Sequence, residues 1–223
     1  QIVITGSGID SVAASDMTKT SETVYTFSYN VPSGDGTGTI TLATGTDPSG
    51  NVVTATPTSG ATFTVDNTTL TVNTFTLSDS SLLVGETATV TLVFSEQVTG
   101  FSSADDITVQ NGTLSAMTSS DNITWTGTFT PSTNIEDTSN ILSLANTYTD
   151  LAGNAGVTAQ TANYSIDTLA PTAAITYDSD SPYRDADTVV ITATFSQAMA
   201  DSPVPQIVIT GSGIDSVAAS DMT

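Results

Sequence analysis

Apolar and polar residues alternate with a period of two along several stretches of this chain. In the segment ITWTGTFTP, residues Ile123, Trp125 and Phe129 fall on one face and the intervening threonines fall on the other. The segments VYTFSYNVP (24–32), TATVTLVF (87–94) and VVITATF (189–195) show the same alternation. Because successive side chains of a strand point to opposite faces, the pattern predicts half-buried β-strands. No segment has convincing helical spacing.

Turn-forming residues separate these predicted strands at intervals of roughly 8 to 15 residues. Between residues 67 and 167 the pattern predicts seven strands, which is the number in an immunoglobulin-like sandwich of about 100 residues. We therefore predict an all-β fold of tandem immunoglobulin-like β-sandwiches, each seven-stranded and antiparallel with Greek-key connections. The seven predicted strands lie at about 69–77, 86–95, 106–110, 113–118, 123–130, 140–148 and 157–166. Trp125 is interpreted as a residue of the core.

The chain contains repeats at two scales. The segment QIVITGSGIDSVAASDMT occupies residues 1–18 and again residues 206–223, which gives a period of about 205 residues. A weaker repeat has an offset near 100, as in TDPSGN (46–51) and TDLAGN (149–154). We therefore expect a window of a longer tandem array of two alternating domain types, A and B. The predicted boundaries are 1–66 for the C-terminal part of domain A, 67–167 for a complete domain B, and 168–223 for the N-terminal part of the next A.

The charge of the chain limits its possible partners. Twenty-three acidic residues face two basic ones, Lys19 and Arg184, so the formal net charge is −21. Such a chain repels phosphate groups, and we expect no nucleic-acid partner. No run of eighteen apolar residues occurs, so we expect no membrane insertion in this segment. Cations are the expected small partners, although solubility and repulsion between repeats also explain an acidic surface.

The residue types also argue against an enzyme. The chain has no His and no Cys, so it cannot form a Ser-His-Asp or Cys-His arrangement. The carboxylate pair Asp105 and Asp106 is a poor candidate for acid-base catalysis, because neighbouring residues of a predicted strand point to opposite faces. We predict no catalytic activity and no catalytic residues.

Acidic and amide residues cluster where the predicted domains meet. Oxygen ligands without His or Cys favour Ca²⁺ over zinc or copper. The same residue types also form turns, so the turn interpretation stays open. For the junction from A to B the candidate calcium ligands are Asp66, Asn67, Glu96, Asp105, Asp106, Asp150 and Asn154. For the junction from B to A they are Asp167, Asp201, Asp47 and Asn51.

Three motifs occur in the same order in both predicted domain types and carry a family resemblance. VDNTTLTV, FSEQVTGFSSADDITVQNGTLS and TDLAGN, and in the other type IDTLAPTAAI, FSQAMADSPVP and TDPSGN, resemble the bacterial Ig-like repeats of giant surface adhesins and biofilm proteins. The resemblance covers essentially the whole chain and implies calcium-stiffened stalks. One departure is Gln197, which stands where the counterpart is Glu96 and puts one metal ligand of domain A in doubt.

We predict a structural repeat unit of a long extracellular stalk, adhesin shaft or matrix fibre on a bacterial surface or in a secreted matrix. Its expected partners are neighbouring copies of the same repeat. One alternative is lateral self-assembly into a filament through exposed edge strands. Another alternative is a ligand-binding module for carbohydrate or ice, which the Thr-x-Thr runs along several strands would suit.

Overall fold

The computed structural model describes residues 1–179, 181–184 and 186–222. The chain divides into two compact units, Gln1–Asp167 and Thr168–Thr223. Strands make up nearly all the regular structure, which confirms the predicted all-β class. Within the described ranges, no helix has the length and apolar character needed to cross a membrane.

The segment 1–66 begins the first unit and contains six strands. These are β1 (Ile2–Ser7), β2 (Val12–Ser15), β3 (Thr18–Lys19), β4 (Tyr25–Thr26), β5 (Gly36–Leu42) and β6 (Thr62–Val65). Four of them form an antiparallel sheet in the order β2-β1-β5-β6, and β3 pairs with β4. Strand β1 lies between β2 and β5, and this position buries Ile2 and Ile4.

The predicted strand at 24–32 forms only in part. Pairing is limited to β4, whose Tyr25 lies opposite Lys19 of β3. Residues 27–32 belong to no strand, and Val31 is 64% exposed. The alternation of the sequence is therefore present without a neighbouring strand to complete it.

Residues 67–167 contain the best-packed part of the molecule. Its elements are β7 (Val72–Leu77), β8 (Ser81–Leu83), β9 (Ala88–Phe94), β10 (Val98–Thr99), α1 (Ser103–Asp106), β11 (Ile107–Thr108), β12 (Gly112–Leu114), β13 (Thr124–Pro131), β14 (Glu136–Asn140), β15 (Ser143–Leu144), β16 (Thr149–Asp150), β17 (Ala159–Gln160) and β18 (Tyr164–Asp167). One side is a four-stranded sheet in the order β12-β13-β9-β7. The other side is built from two three-stranded ladders, β14-β18-β8 and β11-β15-β17.

The inward residues of both sides form one apolar core. Alternate residues of β9, among them Val90, Leu92 and Phe94, are buried against Leu82, Leu144 and Ile166 of the other side. Phe129 and Tyr164 meet across the core with their ring centroids 5.3 Å apart. This packing confirms the predicted sandwich. Trp125 packs against the cluster, with its ring 4.9 Å from that of Phe101, as expected for a core residue.

Two local features of this sandwich differ from the sequence predictions. Residues 103–106 form the helical turn α1, and the strand predicted at 106–110 is limited to β11, so the prediction that Asp105 and Asp106 point to opposite faces of a strand is wrong. Strand β8 was not predicted, and it pairs in parallel with β18, Leu82 lying opposite Ile166. The chain changes sheets after Leu77, so β7 pairs on one side of the core and β8 on the other.

The described residues of the second unit form two hairpins. Strand β19 (Ala173–Tyr177) pairs with β20 (Ile191–Phe195), and β21 (Gln206–Ile209) pairs with β22 (Val217–Asp221). The second hairpin repeats the β1-β2 hairpin in register: Ile207 lies opposite Ser220 as Ile2 lies opposite Ser15, and both ladders shift at the next residue. Identical sequence therefore gives the same hairpin register in the two places, although β1 continues to Ser7 whereas β21 ends at Ile209.

Candidate metal centre at the A–B junction

The junction begins where β6 ends. Val65 is buried as the last residue of β6, and Asp66 follows it directly into the linker. The Asp66 carboxylate accepts a hydrogen bond from the Thr68 backbone N–H at 2.9 Å, which closes a tight turn. This turn places the Asp66 side chain at the entrance to the sandwich of residues 67–167.

Asp150 organises the loop TDLAGN. Its Oδ1 accepts hydrogen bonds from the backbone N–H groups of Ala152, Gly153 and Asn154 at 2.8, 2.7 and 2.9 Å. Its Oδ2 accepts from Asn154 Nδ2 at 2.8 Å, and the residue is 1% exposed. The loop therefore folds around a buried carboxylate that is already satisfied by four donors.

Glu96 reaches the same place from the other side of the loop. It lies between β9 and β10, and β10 pairs with β16 so that Val98 is opposite Asp150. One carboxylate oxygen each of Asp66, Glu96 and Asp150 lies within 4.8 Å of the other two. Three of the predicted ligands of the A–B junction therefore lie close together, and we call them the junction triad.

The surroundings shift the pKa values of Glu96 and Asp150 in opposite directions. Desolvation by burial raises the pKa of Glu96, and the negative charges of Asp66, Asp150 and Asp35 raise it further. For Asp150, burial acts in the same direction, but the hydrogen bonds from the Asn154 side chain and the loop N–H groups outweigh it and lower the pKa. Glu96 is thus the carboxylate whose charge the surroundings disfavour most, and a bound cation would relieve this repulsion.

Asp35 is a contributor that the sequence analysis missed. Its Oδ1 accepts from the Asn67 backbone N–H at 2.5 Å, and its Oδ2 accepts from Thr68 Oγ1 at 3.0 Å. Asp35 is the last residue of the loop between β4 and β5, directly before Gly36, and it ties that loop to the linker. The loop reads as an ordinary turn, so no signal in the sequence marks this role.

Asn67, also a predicted ligand, likewise joins the linker to the loop between β4 and β5. Its Nδ2 donates to the Gly34 carbonyl at 2.8 Å and to the Pro32 carbonyl at 3.3 Å. Asn154 Nδ2 donates to the Asp66 carbonyl at 3.2 Å, in addition to Asp150. Both amides therefore hold the junction together through hydrogen bonds to its backbone.

Asp105 and Asp106 lie apart from the junction triad. Asp106 is 3% exposed, and its carboxylate accepts hydrogen bonds from the Ser102 backbone N–H at 2.7 Å and from the Thr147 hydroxyl. It closes the helical turn α1 against the segment before β16. Asp105 lies on the same turn and is exposed. The metal-ligand group of three that the described residues form contains neither of them.

The candidates for the B–A junction form no comparable group among the described residues. Asp47 and Asn51 fold their loop as Asp150 and Asn154 do, with Asp47 Oδ1 accepting from Asn51 N at 2.8 Å and Oδ2 from Asn51 Nδ2 at 2.8 Å. These bonds lower the pKa of Asp47, the Asn51 side chain contributing most. Within the described ranges, Asp47, Asp167 and Asp201 belong to no group of three potential ligands.

The junction triad offers a cation only oxygen ligands. It consists of carboxylate oxygens with backbone carbonyls nearby, which suits a hard divalent cation. Calcium takes six to eight oxygen ligands in flexible geometry. Asp66 and Glu96 can each offer one or two oxygens, whereas Asp150 can offer Oδ2 alone, because its Oδ1 already accepts three backbone N–H groups. The residues therefore fit Ca²⁺.

Residues 66–166 match a family model described as bacterial Ig-like domain. A solved structure of FdeC, a broadly conserved adhesin of Escherichia coli, is similar at 17% sequence identity and a TM-score of 0.31, over 80% of this chain and 56% of that chain. This chain thus spans little more than half the length of that structure. No curated protein matches the sequence.

Proposed function

Because residues 66–166 belong to the bacterial Ig-like domain family, we propose that this chain is a structural repeat unit of an extracellular stalk, adhesin shaft or matrix fibre. In this role the chain provides reach and mechanical continuity. The proposal is carried by the A–B junction, where the linker is hydrogen-bonded on both sides. Asn67 and Thr68 bond Asp35 of the preceding segment, and Asn154 bonds Asp66 from within the sandwich.

Such a junction suits a shaft because it limits hinge motion between neighbouring domains. A free linker would leave its backbone to water, whereas here the Asp35 carboxylate accepts from the Asn67 N–H and the Asn154 amide donates to the Asp66 carbonyl. Repetition supports the same role. The β1-β2 hairpin returns as β21-β22 with an equivalent side-chain bond, Gln1 to Asp16 at 3.0 Å and Gln206 to Asp221 at 2.8 Å.

The finer part of the proposal is that Ca²⁺ binds the junction triad and stiffens the junction. Asp66 comes from the linker, whereas Glu96 and Asp150 come from the sandwich, so one ion would bridge both sides. Two like charges about 4 Å apart cost about 4 kcal/mol at an effective dielectric of 20. A divalent cation bound between the carboxylates would replace this repulsion with attraction to each of them. The affinity of the chain for calcium would measure the net gain in free energy.

Thermal unfolding of the chain with calcium and with a chelator tests the metal site. A ligand that binds only the folded state at 100 times its dissociation constant adds about 2.7 kcal/mol to the free energy of unfolding. We expect a higher midpoint in calcium than in chelator, and a smaller rise in magnesium. An unchanged midpoint in saturating calcium would remove calcium from the proposal and leave the structural role standing.

Small-angle scattering of a protein with three tandem copies of the period tests the structural role. A shaft gives a maximum dimension that grows in proportion to the number of copies. A compact or freely jointed particle, in calcium and in chelator alike, would count against a stiff stalk.

A further inference from the structure

The segment that enters the complete sandwich is paired with the strand that leaves it. The chain enters through β7, which pairs with β9 on one side of the core, and then crosses to the other side as β8. There β8 lies parallel to β18, with Ser81 opposite Ser165 and Leu83 opposite Asp167. The Ser165 N–H extends the pairing by donating to the Ser80 carbonyl at 2.9 Å. We call the three opposed residue pairs of β8 and β18 the terminal ladder.

The chain enters and leaves this sandwich at opposite ends. Asp66 lies in the junction triad beside Glu96, which follows the last residue of β9. Asp167 lies opposite Leu83, and a short turn connects Leu83 to the first residue of β9. The seven residues of β9 therefore separate the two ends, a distance of about 20 Å at 3.2–3.4 Å per residue.

Tension along the chain loads the terminal ladder in shear. A pull on the entering chain draws the beginning of β8 toward the A–B junction, and a pull on the leaving chain draws the end of β18 the other way. Hydrogen bonds between strands run across the strand direction, so the bonds of the ladder resist such a pull together. A pull on the two beginnings, where Ser165 bonds Ser80, would instead break the bonds one after another.

The terminal ladder is also shielded from water. Leu82 is fully buried, and Ile166, which lies opposite, is 1% exposed. Both side chains belong to the apolar core. A hydrogen bond in such low-dielectric surroundings is electrostatically stronger than one in water. Sliding β8 past β18 must therefore disrupt hydrogen bonds and core packing at the same time.

We propose that the terminal ladder carries tension through this sandwich and sets the force at which it opens. The proposal rests on the role of the chain as a shaft and adds the contact that gives the shaft its strength. Among the described residues of 67–167, the pairing of β8 with β18 is the one that joins the entering segment directly to the leaving strand. The ladder contains no residue of the junction triad, so its role does not require calcium.

Single-molecule pulling of the chain in two directions, in chelator, tests the proposal. The chain has no cysteine, so a pair of introduced cysteines gives unique attachment points at exposed positions. Thr69→Cys with Ala170→Cys loads the ladder in shear, and Ser80→Cys with Ala162→Cys pulls its two beginnings apart. Because forced unfolding is governed by the unfolding rate, we expect opening at equal force to be at least about tenfold slower in the first geometry.

Equal opening rates in the two directions would overturn the proposal. They would leave the shaft role itself standing, because the scattering of tandem copies decides that role independently. A slower rate in the second geometry would likewise overturn the proposal, since the bonds of the ladder would then not act together in shear.

The variant Ser165→Pro removes the N–H that donates to the Ser80 carbonyl, and with it a hydroxyl bond to the same carbonyl at 3.4 Å. Its matched control is Ser115→Pro. This change removes an N–H bond to the Thr128 carbonyl and a hydroxyl bond from the Thr128 N–H, both at 2.9 Å, beside the β12-β13 pair.

Both proline variants should unfold at lower urea concentration than the wild type, because each loses a strand hydrogen bond. Under end-to-end tension, Ser165→Pro should open at least about threefold faster than Ser115→Pro, since its lost bond lies in the contact that breaks first. Equal acceleration by the two variants would show that the terminal ladder does not set the opening force. If Ser165→Pro does not fold, the comparison of pulling directions decides the proposal without it.

Discussion

The side-chain amide of Asn154 donates to the backbone carbonyl of Asp66 at 3.2 Å, across 88 residues of sequence. The same nitrogen donates to Asp150 Oδ2 at 2.8 Å, so one side chain joins the buried loop carboxylate to the linker. Asn51 makes the corresponding bond to Asp47 at 2.8 Å. At the A–B junction, a single amide thus holds both the loop carboxylate and the linker.

Asn154→Ala should destabilise the chain more than Asn51→Ala. Both variants lose the amide bond to an aspartate, but Asn154→Ala also leaves the Asp66 carbonyl without this donor beside a buried carboxylate. We expect a loss of about 1–3 kcal/mol for Asn154→Ala and less than about 1 kcal/mol for the exposed Asn51→Ala. Urea unfolding of the two variants measures the difference, and equal losses would show that the linker bond contributes nothing.

Glu96→Gln should change stability in opposite directions with and without calcium. In chelator at neutral pH the variant removes a carboxylate that burial and three acidic neighbours disfavour, so its unfolding midpoint should rise by the equivalent of about 0.2–1 kcal/mol. In calcium it lacks a ligand, and the stabilisation by the ion should shrink. Thermal melts in both conditions measure the two effects. The matched control is Glu136→Gln, the same change at an exposed strand residue outside the junction triad, which should leave the calcium effect intact.

The pH dependence of the Glu96→Gln effect follows from the raised pKa of Glu96. A carboxyl whose folded pKa lies above its unfolded value destabilises the fold when charged, so the penalty is present at neutral pH and disappears as pH falls through the folded pKa. In chelator the advantage of Glu96→Gln over the wild type should therefore shrink between neutral pH and the ordinary glutamate range near about 4.3. An advantage that is constant with pH would mean that the charge of Glu96 is not its cause.

Asp150→Asn should reduce the loss of stability that the wild type shows in acid, a pH dependence opposite in sign to that of Glu96. The hydrogen bonds of the TDLAGN loop lower the pKa of Asp150 below its ordinary value, so they stabilise the fold above the unfolded aspartate pKa of about 3.9. This stability is lost as pH falls toward the lower folded pKa. The variant should be less stable by about 1.5–3 kcal/mol at neutral pH and should show less further loss in acid. Urea unfolding at several pH values measures both, and parallel pH profiles would contradict this account.

The alternation of apolar and polar residues predicted strands correctly where a neighbouring strand pairs with them in the structure. It overpredicted the length of a strand where such pairing is limited. The segments 87–94 and 123–131 alternate and pair with each other as β9 and β13. The segment 24–32 alternates equally well but forms only β4, because an alternating sequence specifies which faces can be buried and does not provide a neighbour. The turn α1 was missed because four residues are too few to show a helical period.

The sequence also indicated which carboxylates lie close together at the junction. Asp66 directly follows β6, Glu96 lies just after β9 and Asp150 ends β16, so the order of the predicted strands brings all three to one end of the sandwich. Asp106 was included for the same reason, yet it bonds Ser102 and Thr147 and serves the fold. Asp35 was missed because its role depends on how the loop of one domain meets the linker, which local sequence does not encode.

The glycine at the tip of the repeated hairpin offers a comparison within one chain. Gly8 and Gly213 occupy equivalent positions of the identical segment, with φ of +74° and +77°. A Cβ on Gly8 would overlap the backbone carbonyl of Asp35, whereas a Cβ on Gly213 would meet nothing within 4 Å. The two glycines therefore match in local sequence and in φ, and they differ in what lies beside them.

Gly8→Ala should be clearly more destabilising than Gly213→Ala. Alanine in the left-handed region costs roughly 1–2 kcal/mol at either position. At Gly8 the Asp35 loop must also move, and this movement should weaken its bonds to Asn67 and Thr68 at the junction. We expect Gly8→Ala to lower the unfolding midpoint of the first unit and, in chelator or calcium, to speed hydrogen exchange at the Asn67 and Thr68 amides. Measured at low concentration, Gly213→Ala should leave those amides unchanged; an equal effect of the two variants would mean that the contact between Gly8 and Asp35 does not support the junction.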